Sequence, residues 1–165
     1  MPGSWYPADF PNLDPQNHEV TSGITRRYNC LAWAAHVTKI RWEPDPDGQY
    51  YWPLGVPRQY TTEAFVEAYR TIGFRLCFSG ASEEGIEKLA IFAEERNGKL
   101  RPTHAALQLE SGRWTSKIGD LEDISHETDA CVGGGLYGTV FCYMQRPRPK
   151  ESHIANRGLS LSTNI

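Results

Sequence analysis

The side chains able to do covalent chemistry in this chain reduce to one thiol and a short choice of bases. Cys30 follows Tyr28 and Asn29 and opens the run Leu31-Ala32-Trp33-Ala34-Ala35, whose small apolar residues predict a helix with the thiol in its first turn. A helix N-terminus holds unpaired backbone N–H groups and a partial positive charge, and both favour thiolate, the form that attacks carbonyls. Cys30 is the candidate nucleophile. The plainer alternative is that it fills the core, as helical cysteines commonly do.

A nucleophilic thiol needs a base that titrates near neutral pH and a third group to orient that base. Of the five histidines, His18 and His153 fall in the arm and tail, and His36 lies on another face of the Cys30 helix. His104 opens a strand directly after Pro102-Thr103 and is the candidate base, while His126 is expected at the surface. Ser116, Asp120 and Asp123 are the candidate orienting residues, and hairpin register decides among them, because strand side chains alternate faces. With a three-residue loop, Glu110-Ser111-Gly112, His104 opposes Ile118 and shares a face with Ser116 and Asp120. A two-residue Ser111-Gly112 turn would bring Lys117 to that face instead. A carboxylate would orient the imidazole better than a hydroxyl, though Asp120 and Asp123 equally suit turn and helix capping.

The surrounding elements must place these groups. Residues 1–23, with four prolines among Trp5, Tyr6, Phe10 and Leu13, predict an extended arm. The Cys30 helix is predicted from Thr25 to Lys39. Arg41 to Tyr60 is predicted as loop, and loops of that length often act as lids or binding loops. Trp42, Tyr51 and Trp52 are therefore candidate substrate-binding residues with Tyr28 and Asn29, the alternative being an aromatic cluster closing one end of the core. Asp45 and Asp47 lack the remaining ligands of a calcium loop. Thr61 or Thr62 caps a second helix with Phe65, Ala68, Tyr69 and Ile72 on one stripe and Gly73 at its stop. Strands are predicted over 74–78, 103–110, 113–118 and 140–144; residues 85–94 fit either helix or strand, with the Arg96-Asn97-Gly98-Lys99 turn favouring a hairpin. Asp120 to Ala130 is loop or one short helix. The expectation is α+β: an N-terminal helix carrying the cysteine, then an antiparallel sheet of four to five strands, in a single domain at 24–146 with a disordered tail at 147–165.

Composition narrows the function classes. A chain of 165 residues with net charge −3 and no basic run is not built for nucleic acid or anionic membranes. The cysteines at 30, 77, 131 and 142 show no metal-ligand spacing, so no metal or cofactor is expected. With no export signal or long apolar run, a cytoplasmic location with reduced thiols is expected, and export by a non-classical route stays open.

A helix opening with cysteine, followed by an antiparallel sheet whose first core strand begins with histidine, resembles the papain-like NlpC/P60 class of cysteine peptidases and amidases. His104 through Ser116 matches the layout in which that class places its third polar residue twelve positions after the histidine, with Trp114 where an aromatic is usual. The chain departs from the class in having Ser116 where His, Asn, Gln or Asp is usual, and Tyr28-Asn29-Cys30 where Asp-Cys-Ser-Gly is usual. The fuller set, Tyr-Asn-Cys-x-Ala-Trp-Ala, Thr-His-Ala-Ala, Trp-Thr-Ser-Lys-x-Gly and Asp-Ile-x-His, is similar to a family of small bacterial proteins of unknown function. The NlpC/P60 resemblance implies a papain-like fold and a thiol hydrolase cleaving an amide in a peptide or peptidoglycan fragment. Cys30 would attack, His104 would carry the proton, Ser116 or an aspartate would orient it, and the Cys30 N–H with Tyr28 or Asn29 would hold the oxyanion. The alternatives are a binding or adaptor module that meets a protein partner through the aromatic loop, and a deamidase or transglutaminase-type acyl transferase.

Overall fold

The computed structural model describes residues 3–149; the predicted tail lies, from residue 150 on, outside the described residues. In chain order the elements are β1 (His18–Ser22), α1 (Cys30–Ala34), α2 (Thr62–Arg70), β2 (Arg75–Cys77), β3 (Ile86–Arg96), β4 (Lys99–Gln108), β5 (Trp114–Lys117), β6 (Asp123–His126) and β7 (Thr139–Pro147). The strands form one seven-stranded sheet in the order β1-β6-β5-β4-β3-β7-β2, and every neighbouring pair is antiparallel. This mostly-β architecture replaces the expected α+β, papain-like arrangement of a leading helix and four to five strands, because the helix bearing Cys30 is short and His18–Ser22 and Asp123–His126 add two strands. No described helix is long and apolar enough to cross a membrane.

The helix bearing Cys30 is five residues long and does not reach Lys39. Its stop is a left-handed cap: His36 takes φ 62°, its N–H bonds Trp33 O, and the Val37 N–H returns to Ala32 O. A non-glycine residue in that conformation is uncommon, and His36 is tied there by a 2.8 Å bond to the buried Glu87 on β3. The second helix forms as expected, with Thr61 Oγ1 accepting from the Ala64 N–H.

Residues 85–94 are strand. Leu89 to Phe92 are buried on both faces of a central strand, which erases the alternation that would have separated strand from helix. Asn97 (φ 52°) and Gly98 (φ 75°) make the tight turn that joins β3 to β4. The next hairpin takes the three-residue loop: Leu109 N–H bonds Arg113 O, Gly112 has φ 92°, and Gln108 pairs with Trp114.

Alternate side chains give the sheet two cores. Leu89, Ile91, Ala105, Leu107 and Met144 pack beneath α1, α2, Trp42 and Trp52. Ala90, Phe92, Ala106, Trp114, Ile118 and Ile124 face the other way, under Phe10, Val132 and Tyr137. The arm contributes to this second core, and the polar stretch 120–130 contains β6 and a short 3-10 turn at Asp129–Val132.

Candidate functional site

Cys30 stands in the first turn of α1, as expected, but the helix begins at Cys30 and not at the predicted Thr25, because Asn29 caps it there. Asn29 Oδ1 accepts from the Ala32 N–H (3.2 Å) and the Trp42 N–H (3.1 Å), and its Nδ2 donates to Trp42 O (2.7 Å). Cys30 as a residue is 8% exposed and packs in one core with Ala105 and Leu107. Burial pushes the thiol up to about 11, against the opposing pull of the Ala105 and Leu31 backbone N–H groups and the Arg41 charge. A short helix end therefore loses to desolvation, and Cys30 is a neutral thiol at pH 7.

His104 belongs to the other face. It is fully buried, stacked on Tyr137 at 4.0 Å between ring centroids and set edge-on to Phe92. Its Nε2 lies 2.9 Å from Ser116 Oγ, which lies 2.8 Å from His126 Nε2; His126 Nδ1 in turn is 2.7 Å from Thr128 O. The carbonyl can only accept, so neutral His126 carries its proton on Nδ1 and takes the Ser116 hydroxyl proton at Nε2. His104 then donates from Nε2 to Ser116 Oγ, and its Nδ1 lone pair is buried without a partner. Burial lowers His104 well below its ordinary value, helped by His126, and lowers His126 to about 4. The β4–β5 ladder ends at Leu107 and Thr115, so beyond it this polar chain links the strands.

The sequence-derived set is thus divided. Ser116 meets His104, but His104 and Cys30 pack on opposite faces of the sheet and share no hydrogen bond among the described residues. Asp120 pairs outward with Arg41 at 2.5 Å. Asp123 accepts from Tyr28 OH (2.6 Å) and Ser22 Oγ (2.5 Å) on the Cys30 side. Neither aspartate orients His104. Of the expected substrate-binding residues, Tyr28, Asn29, Trp42 and Trp52 are buried, and Tyr51 is exposed.

Two groups escaped sequence reasoning. His126 is buried in the histidine–serine chain, not at the surface. Lys117 is buried with its Nζ donating to three carbonyls, those of Thr25, Gly119 and Leu121. Recognising Asp-Ile-Ser-His as a strand would have found both, since β6 sets Ile124 opposite Ser116 and Asp123 opposite Lys117. Among the described residues, no three His, Cys, Asp or Glu side chains gather as a metal site.

A family profile described as a domain of unknown function, DUF7689, matches residues 19–145. The chain belongs to that family. The match runs from β1 into β7 and so reaches every strand of the sheet, and no NlpC/P60 resemblance accompanies it. No curated protein and no solved structure matches.

Proposed function

We propose that this domain is a binding module without turnover at Cys30, and that the loop between α1 and α2 meets a protein partner. The observation that carries this reading is the placement of the thiol and the imidazole: both buried, both uncharged at neutral pH, and packed on opposite faces. With its ionisation pushed to about 11, Cys30 is thiolate in roughly one molecule in ten thousand at pH 7.

The loop has the opposite character. Trp42 and Trp52 anchor it in the core, Asp45 accepts from the Gln49 and Tyr50 N–H groups, and Arg58 clamps Asp45 and Tyr50 O. Tyr50, Tyr51, Leu54 and Tyr60 are left facing solvent. Aromatic side chains held on an already ordered loop give contact area at low entropic cost, which suits recognition of a protein surface.

A second reading, thiol hydrolysis or acyl transfer on an amide of a peptide or peptidoglycan fragment, is favoured by one feature. His104 has its Nε2 oriented by Ser116 and its Nδ1 free to take a proton. It requires Cys30 and His104 to approach when substrate binds.

Iodoacetamide labelling of Cys30 against pH, in wild type and His104→Ala with folding checked by near-UV circular dichroism, separates the readings. The binding module is expected to label slowly at pH 6 with no dependence on the His104 side chain while folded. Fast labelling at pH 6 that vanishes in the variant would overturn it in favour of the hydrolase. The substitution Leu54→Ser, at a fully exposed side chain, should shift urea-unfolding stability by no more than about 0.5 kcal/mol, as for a surface free of packing duties.

A further inference from the structure

A cleft of about 510 Å³ opens on the sheet face opposite α1, between the Phe78–Ser82 segment and the Trp114 and Glu127–Asp129 side. That is within the range of small-molecule sites. It lies away from the 41–60 loop and does not depend on the reading given for that loop.

Two independent features give the cleft a chemistry. Gln108 in its wall is 2% exposed; its Nε2 donates to Gly80 O at 2.8 Å, and its Oε1 is buried with no donor among the described residues. A buried carbonyl oxygen left unpaired is costly, and a ligand donor would relieve it. Separately, Glu127 and Asp129 line the cleft and, among the described residues, no Lys or Arg does. Asp129 is presented from the rim by the Tyr143 hydroxyl, which donates to its carboxylate. The nearby Lys88 ammonium is already held by Glu83 and Gln145. Ring faces complete the lining, with Trp114 and Tyr143 centred 6.4 Å apart and Phe78 fully exposed at the lip.

We propose that this cleft binds an organic cation carrying N–H donors, an ammonium or guanidinium head on an alkyl stem. Such a head meets the three features together: it donates to Gln108 Oε1 and to Asp129, places its charge against Glu127 and Asp129, and lays its stem and charged face on the rings. A neutral amide or sugar would leave the two carboxylates uncompensated, and an anion would be repelled. A free diamine and a basic peptide side chain share this chemistry.

Two-dimensional proton–nitrogen NMR titration tests the proposal, with putrescine, N-acetyl-arginine amide and neutral N-butylurea as probes. At least one cation should bind saturably, moving the Trp114 indole and Gln108 side-chain amide signals. Affinity should fall at least about tenfold in Asp129→Asn, the scale of one lost charge-assisted contact, while N-butylurea should not saturate. Asparagine still accepts from Tyr143, so that variant keeps its fold, and Glu127→Gln at an exposed site provides a second check. Saturation by putrescine alone would identify a free amine as the source, and saturation by the arginine amide alone a basic side chain. The proposal is overturned if neither cation saturates by roughly 10 mM, where any affinity is negligible. Equal binding of N-butylurea, or an affinity untouched by both substitutions, would overturn it as well.

Discussion

The Ser116 hydroxyl accepts from His104 Nε2 at 2.9 Å and donates to His126 Nε2 at 2.8 Å, with no water-facing atom in the chain to take its place. Ser116→Ala should therefore leave a buried donor and a buried acceptor unpaired, lowering stability by about 2–4 kcal/mol in urea unfolding. The same chain sets an acid limit. His126 is held at about 4 by burial, against the Thr128 carbonyl and Asp129, with Arg113 and His18 adding to the lowering. Because its folded value lies below its unfolded value of about 6.5, the unfolded state binds more protons between those limits. Stability is expected to be flat above pH 6.5 and to fall towards pH 4, His126 alone accounting for on the order of 3 kcal/mol; unfolding midpoints measured across that range check it. The His104–Ser116 contact was only half legible: Ser111-Gly112 marks the hairpin but suits a two- or a three-residue loop, and it is the Leu109–Arg113 closure and the Gln108–Trp114 pairing that select the register. His126 was not, because a buried polar residue whose partner is another polar residue leaves no trace in a hydrophobic pattern.

Among the elements, α1 depends most on its flanks. Five residues cannot sustain a helix by propagation, so Asn29 and the His36 cap hold it, and Asn29 also fastens Trp42 at the root of the long loop. Asn29→Ala should cost about 2–4 kcal/mol, more than a surface cap, because the Trp42 carbonyl and N–H lose their partner inside the core. Hydrogen exchange at Trp42 and Glu43 should quicken more than in β3. An unchanged exchange pattern would show that Asn29 caps the helix without holding the loop. Residues 61–73 were legible from stripe, cap and glycine stop. The end of α1 was not, since it is set by Glu87 drawing His36 across fifty-one positions of sequence. Nor was β6, whose inward residues include an aspartate and a histidine that become buried through contacts with other elements.

For the whole molecule, the governing feature is a sheet with two cores, one under the helices and one under the arm. Phe10 closes the second, buried and edge-on to Tyr137 at 5.2 Å, yet it precedes the residues matched by the family. Phe10→Ala should cost about 3–5 kcal/mol in urea unfolding, as a large cavity in a packed core does. A loss under about 1 kcal/mol would mean that the arm merely rests on the domain. An antiparallel sheet was legible in the sequence; its full width was not, because both added strands are short and polar in composition. The two-core arrangement also gives Cys30 and His104 separate roles: each is packed as part of a different face. The most direct test is the rate of N-ethylmaleimide modification at Cys30 as urea is raised through the native range, read by peptide mass spectrometry. If the thiol is sealed, the rate is expected to start far below that of a free thiol and to climb with the slope of global unfolding. A rate near that of a free thiol in the absence of urea, flat until the unfolding transition, would contradict the account and return Cys30 to the role of an accessible nucleophile.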